Sequence, residues 1–137
     1  MYQRDYLFNE ARKMALLLAK LLGLKADGDN EAYEQQFNEI LQQEYNAELE
    51  NLLNLNEADF TVTMQQASYS AEKLNALAQM LYVFAQPLQV DDDTLLLLKK
   101  VLIIFDILEQ QHHYDSFENI TTRQTIQRFI TNNYERS

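Results

Sequence analysis

The chain has 137 residues, 21 Asp and Glu against 11 Lys and Arg, a formal charge of −10, 47% hydrophobic residues, two glycines, one proline and no cysteine. That length fits a single domain with a real core, since a chain near 150 residues buries roughly 68% of the surface it exposes when unfolded. The composition excludes disorder and a turn-rich β fold, and the lack of cysteine excludes a disulfide framework, a zinc ribbon and a thiol nucleophile.

The charge is unevenly placed. Between Lys25 and Lys73 no Lys, Arg or His occurs for 47 residues, while eleven of the Asp and Glu fall there, leaving ten acidic against eleven basic residues elsewhere. Such an acidic chain is a poor match for nucleic acid, whose binding rests on a basic footprint that releases counterions. The apolar run from Met14 to Leu24 is interrupted by Lys20 and lacks the pattern of a secretory leader, so a cytoplasmic bacterial-type protein is the expectation. A membrane span needs about 20 apolar residues. Leu95 to Leu108 is broken by Lys99, Lys100 and Asp106 and reads as a core helix.

Apolar spacing predicts a first helix from about Asp5 to Leu24, with Leu7, Ala11, Met14, Leu18, Leu21 and Leu22 inward. Phe8, Leu16 and Leu17 widen that stripe, so the helix is expected to touch neighbours on two sides. Asp27-Gly28-Asp29-Asn30 is a turn, with Gly28 suited to positive φ and Asn30 placed as a cap. The second helix, about Glu31 to Gln43, packs through Tyr33, Phe37, Ile40 and Leu41 and turns Glu34, Gln35, Asn38, Glu39 and Gln42 outward. Two short helices follow in residues 44–68. Asn56 caps the second, with Glu57 and Asp59 favourable in its first turn, although Thr61-Val62-Thr63 is β-branched.

Ser70 caps a helix with Leu74, Leu77, Ala78, Leu81, Tyr82 and Ala85 on one face, ended by Pro87. Asp91-Asp92-Asp93 starts the most hydrophobic helix, Thr94 to about Gln111, whose polar line is only Lys99, Asp106 and Gln110. A helix apolar nearly all round is central or lies at an interface. Two-fold self-association through it is therefore one expectation. Asp115 with Glu118 resembles a capping box before a last helix carrying Phe117, Ile120, Ile126, Phe129, Ile130 and Tyr134 inward.

No constellation here demands catalysis or a cofactor. Asp27, Asp29 and Glu31 alternate like calcium-loop ligands, but the sixth and twelfth positions are Ala32 and Asn38 where Gly and Glu are needed. Glu109 and His112 have the spacing of a di-iron half-site; the second Glu-x-x-His pair that such a site requires is missing, and His112 and His113 read as a helix C-terminus. Tyr2, Tyr6, Phe8, Tyr33, Phe37 and Tyr45 are set to line a ligand pocket between hairpins or, more commonly for such residues, to pack a core.

The opening Tyr2-Gln3-Arg4-Asp5-Tyr6-Leu7, the long first helix with Leu17, Leu18, Leu21 and Leu22, and the segments Lys73-Leu74-Asn75-Ala76-Leu77-Ala78 and Lys99-Lys100-Val101-Leu102 resemble an uncharacterised bacterial family of small all-helical domains. That family is similar to tetratricopeptide-type helical hairpins. The resemblance covers most of the chain and implies stacked hairpins, but it brings no catalytic residues. Leu74, Leu77, Ala78 and Leu81 fit the first helix of such a repeat, whereas the small residues of its second helix are not cleanly present.

The expectation is an all-α single domain over residues 1–137, with antiparallel helical hairpins stacked in a tetratricopeptide-like or irregular bundle of about six to seven helices. Its function is expected to be non-catalytic protein interaction or scaffolding, with Glu34, Glu39, Glu48 and Glu50 facing a basic protein partner, alongside self-association as a homodimer. A small-molecule binder or enzyme with a pocket between hairpins is the alternative. No nucleic acid, membrane, metal or cofactor is expected.

Overall fold

The structure, a computed structural model, describes the backbone of residues 2–134 and the side chains of residues 9–134. Among the described residues the chain is all-α, with seven helices and no strand. The helices are α1 (Tyr2–Ala26), α2 (Asn30–Tyr45), α3 (Leu49–Asn54), α4 (Glu57–Gln66), α5 (Ala71–Ala85), α6 (Asp92–Gln111) and α7 (Phe117–Asn133). They gather into two compact units, α1 to α3 and α4 to α7, divided between Leu55 and Asn56.

In the first unit α1 packs on α2. Met14 and Leu21 are buried, and Ala11, Leu17, Leu18 and Leu24 are half-buried. Leu22, expected inside, and Leu16, expected to widen the stripe, are instead 47% and 63% exposed, because α2 covers only the opposite side of the helix. The expected contacts of Leu7 and Phe8 lie outside the described side chains.

Gly28 turns the chain at φ 75°, a conformation open to glycine because it has no Cβ. The cap of α2 is Asp29, not Asn30: its carboxylate accepts from the Ala32 N–H at 3.2 Å, and Asn30 is already helical. Tyr33, Phe37, Ile40 and Leu41 are buried as their spacing predicts, and the helix runs on far enough to bury Tyr45. Asn46 then takes the left-handed conformation (φ 50°), and the Ala47 N–H closes back on the Leu41 carbonyl at 3.2 Å.

The second unit opens as predicted. Asn56 caps α4 by accepting from the Asp59 N–H at 2.7 Å. Thr61 and Thr63 donate their hydroxyls to the carbonyls of Glu57 and Asp59, both at 2.8 Å, which accommodates these β-branched residues in a helix. Ser70 caps α5 through the Lys73 N–H. Gln86, extended as the residue before proline prefers, stops it, and the Gln86–Pro87 bond is cis.

Although the spacing marks only one apolar face on α5, no residue of this helix is exposed. Ala76, Ala78, Met80 and Val83 are buried as well as the predicted stripe, and α6 packs along the helix. α4 and α7 also pack on α6. The apolar circumference of α6 is thus largely covered within the chain, which removes the motive for self-association through this helix. Its start is Asp91, whose carboxylate accepts from the Thr94 N–H at 2.7 Å and is held below the usual carboxylate range by that bond. Asp92 and Asp93 occupy the first turn.

Lys100 is buried, with its ammonium 5.4 Å from the centre of the Phe60 ring. Desolvation lowers its pKa, while Glu57 acts in the opposite direction.

The last helix departs most from expectation. Ser116, not Asp115, caps it by accepting from the Asn119 N–H at 3.0 Å, and Asp115 accepts from the Ser116 N–H instead of forming a capping box. Phe117 is 85% exposed and Ile120 is exposed, while Ile126 is buried and Phe129, Ile130 and Tyr134 are half-buried. The inward position near the start belongs to Asn119, which accepts from the Gln79 side-chain amide at 2.9 Å and donates to Asn75 at 2.8 Å. Farther along, the Tyr134 hydroxyl accepts from the Asp91 N–H at 3.0 Å and donates to the Asp91 carbonyl at 2.7 Å. That pair of bonds ties α7 to the start of α6.

Asn119→Leu strands the Gln79 amide in a buried position, and removing one partner of such a pair costs about 1–3 kcal/mol. Urea unfolding should show that loss as a lower midpoint with an unchanged slope. Burial also pushes the Tyr33 hydroxyl up to about 12 from an ordinary 10.0, so the folded chain keeps a proton that the unfolded chain releases. This contribution is fully present below pH 10.0 and is lost as pH rises through about 12. Across that window, thermal melts of Tyr33→Phe should decline less steeply than those of the wild type.

Candidate functional site

The acidic residues picked out by the sequence lie in the first unit, on α2 and at the start of α3. With Tyr33, Phe37, Ile40, Leu41 and Tyr45 turned inward, helical geometry leaves Glu34, Asn38 and Gln42 in one outward row at steps of four. Glu39 belongs to the neighbouring row, where it accepts from the Gln35 amide at 3.4 Å. The left-handed turn at Asn46 then delivers Glu48 to the N-cap position of α3, where its side chain makes no capping bond, and Glu50 to the first turn. A shallow cleft of about 380 Å³ is lined by Asn38, Gln42, Ala47, Glu48, Leu49 and Glu50. Glu48 and Glu50 are therefore brought together beside the polar row of α2. Glu34 stands one turn along that row, and Glu39 stands to its side.

All four carboxylates are exposed, and among the described residues none forms an ion pair. The acidic stretch is answered within the chain elsewhere. Lys13 reaches Glu44 at 2.9 Å, and Lys99 reaches Glu57 at 3.6 Å. Lys25 is directed over the Tyr33 ring, 5.0 Å from its centre, and burial lowers its pKa. Among the described residues the first helix thus engages Glu44 and Tyr33 of α2 and sends no cation to Glu34, Glu39, Glu48 or Glu50.

Tyr33, Phe37 and Tyr45 are core residues, and Tyr33 stacks on Phe37 at 6.1 Å; Tyr2, Tyr6 and Phe8 lie outside the described side chains. A second cleft, of about 370 Å³, lies in the other unit among Glu57, Lys99, Leu102, Ile103, Asp106, Gln127, Ile130 and Thr131. None of its lining residues is buried, so water reaches every wall. Its charges are already matched: Lys99 by Glu57, and Asp106 by Arg123 at 2.9 Å, with Arg123 also 3.5 Å from Glu109.

Among the described residues no three His, Cys, Asp or Glu gather where they would hold a metal ion. Asp29, read for its calcium-like spacing, caps α2, and His112 and His113 are exposed at the end of α6. No helix among the described residues is long and apolar enough to cross a membrane. Apolar periodicity missed the polar residues it could not separate from surface: Asn75, Gln79, Asn119 and Lys100. A signal was available for Asn119, one position after a charged residue and two helical turns before the inward Ile126. Compared with protein-family models, curated proteins and solved structures, the chain matches none.

Proposed function

We propose that the chain is a non-catalytic protein-interaction module whose α2–α3 face receives a basic protein partner. The observation that carries this reading is the exposed set Glu34, Glu39, Glu48 and Glu50, which no cation among the described residues neutralises although Lys13 answers Glu44 in the same unit. Rim charges of this kind act chiefly on encounter rate and partner choice. The cleft between α2 and α3 adds the apolar Ala47 and Leu49 beside the carboxylates, so a lysine or arginine stem has somewhere to lie while its head meets Glu48 or Glu50.

The test uses a lysine- and arginine-rich helical peptide as probe, titrated against two variants with the same net charge. One replaces Glu34, Glu39, Glu48 and Glu50 with Gln. The other neutralises Glu72, Asp92, Asp93 and Glu118, four carboxylates outside the face. The first variant is expected to bind about tenfold more weakly, a loss of about 1.4 kcal/mol, and the second to stay within about twofold of wild type. Equal weakening in both would mean that net charge alone attracts the probe and would remove the assigned face.

A further inference from the structure

The outer side of α1 is built unlike a solvated helix surface. At 3.6 residues per turn, Arg12, Ala15, Leu16, Leu22, Gly23 and Ala26 all lie within about 60° of Ala19 around the helix axis. All seven are exposed, Leu16 and Leu22 by 63% and 47%. The buried Met14 and Leu21 lie on the opposite side, against α2. A surface helix normally carries polar residues opposite its buried stripe. Here that place holds one arginine and six apolar or small residues.

Gly23 is an independent sign that something approaches closely. Glycine inside a helix weakens it relative to alanine, so its presence calls for a steric reason. None exists among the described residues, where a Cβ added at Gly23 would meet nothing within 4 Å. Ala15, Ala19 and Gly23 at steps of four form a shallow groove between the two exposed leucines, a shape that lets a second helix come near.

The face is also complementary to itself. If two copies of α1 run antiparallel about a two-fold axis at Ala19, each position comes level with the one equally far on the other side of that axis. Leu16 is then level with Leu22 and lies beside the small Gly23 of the other copy, Leu22 lies beside its Ala15, and Arg12 comes level with Ala26 at the helix end, next to Asp27. Both Arg12 and Asp27 are exposed. Arg12 would reach the carbonyl end of the opposing helix and the Asp27 carboxylate, where a cation is doubly favoured. Lys13 and Lys25 fall on the far sides of the helices, already directed to Glu44 and Tyr33.

We infer that the outer face of α1, centred on Ala19, binds a second copy of this chain as an antiparallel, two-fold helix pair closed by reciprocal Arg12–Asp27 contacts. The inference does not depend on the acidic face. Residues 12–26 of the two helices overlap over about 22 Å. Such a contact lies at the small end of specific interfaces, below about 1,200 Å² in total, so a Kd near about 100 µM is expected.

Sedimentation of the full chain from about 10 µM to about 1 mM should show reversible dimerisation with a Kd in that range. Ala19→Arg, which places a long charged side chain on the axis, should raise the Kd at least about tenfold. Arg12→Asp should weaken the pair, and adding Asp27→Arg should restore it. Because the chain has no cysteine, Ala19→Cys supplies a single thiol at the axis. It should form a disulfide-linked dimer under mild oxidation much faster than Gln35→Cys on α2, since only the axial pair brings two thiols within disulfide reach. A chain that stays monomeric across the range, with both thiols crosslinking equally slowly, overturns the inference. So does a dimer indifferent to Ala19→Arg and to the charge exchange. If the thiol of the Ala19→Cys variant fails to react with maleimide in a monomer, the chain covers this face itself, and the inference is overturned too.

Discussion

The second unit depends on the burial of α5 against α6. Leu74, Leu77, Met80 and Leu81 on one helix and Leu98, Val101 and Ile104 on the other are at most 1% exposed. Each such side chain contributes roughly 1.5–3 kcal/mol relative to an exposed one. With no cysteine in the chain, no disulfide shares this task. Ala76 and Ala78 keep part of α5 slim enough for close approach, and α4 and α7 complete the cover around α6. The amides of Gln79, Asn119 and Asn75 hydrogen-bond in series, and Lys100 sets its ammonium against the Phe60 ring. Apolar contact supplies most of the driving force, while the amide series selects one angular setting of α7, since rotating that helix would break one buried and one part-buried bond.

The first unit sets an apolar core beside a one-sided distribution of charge. Its inward stripe is short, and α1 meets α2 through a few buried residues such as Met14, Leu21 and Phe37. One ion pair, Lys13 with Glu44, lies beside that core; the Glu44 side chain is largely buried, so the pair is less screened than one fully in water. Glu34, Glu39, Glu48 and Glu50 stand outside it. Removing them would relieve like-charge repulsion and cost no buried contact; only Glu50, in the first turn of α3, and Glu39, which accepts from Gln35, add local support to a helix. That asymmetry between Glu44 and the other four separates structural acidity from acidity available to a partner.

Much of this architecture was legible in the sequence, and the misses have physical causes. Helix existence followed from apolar spacing, and Asn56 and Ser70 were identifiable as caps because each stands alone as a capping residue beside an apolar run. The caps of α2 and α7 were each misplaced by one residue, where two competent residues adjoin: Asp29 with Asn30, and Asp115 with Ser116. Which member caps depends on the path of the preceding turn, a tertiary property. On α7 the inward side was misread as well, because apolar spacing favoured Ile120 where Asn119 is the buried residue. Lys100 was unreadable for another reason: its charge marks it as surface, whereas its long apolar stem suits it to burial. On the acidic face, outwardness was legible from helical period. That Glu48 and Glu50 join Asn38 and Gln42 around one cleft was not, because it follows from the left-handed turn at Asn46.

The two exposed faces of the first unit differ in physics and in direction, and that difference bears on how they would work together. Carboxylates act over a Debye length of about 8 Å at physiological ionic strength, whereas the alanines, leucines and glycine of α1 act only at contact. In the pair inferred here α1 meets its copy on the side turned away from α2. The order across the two first units is then α2, α1, α1 and α2, with the acidic rows borne by the outer helices. Neither carboxylate set faces the other, so pairing incurs little like-charge repulsion and hides neither row. It converts one acidic surface into two, related by the two-fold axis. A basic partner that is itself repeated or dimeric would engage both, and its second contact would form at an effective concentration set by the helix pair instead of by the bulk. A modest self-association and a modest electrostatic contact would then reinforce each other, because a two-site partner held by both flanks favours the paired state by the same factor that pairing favours the partner.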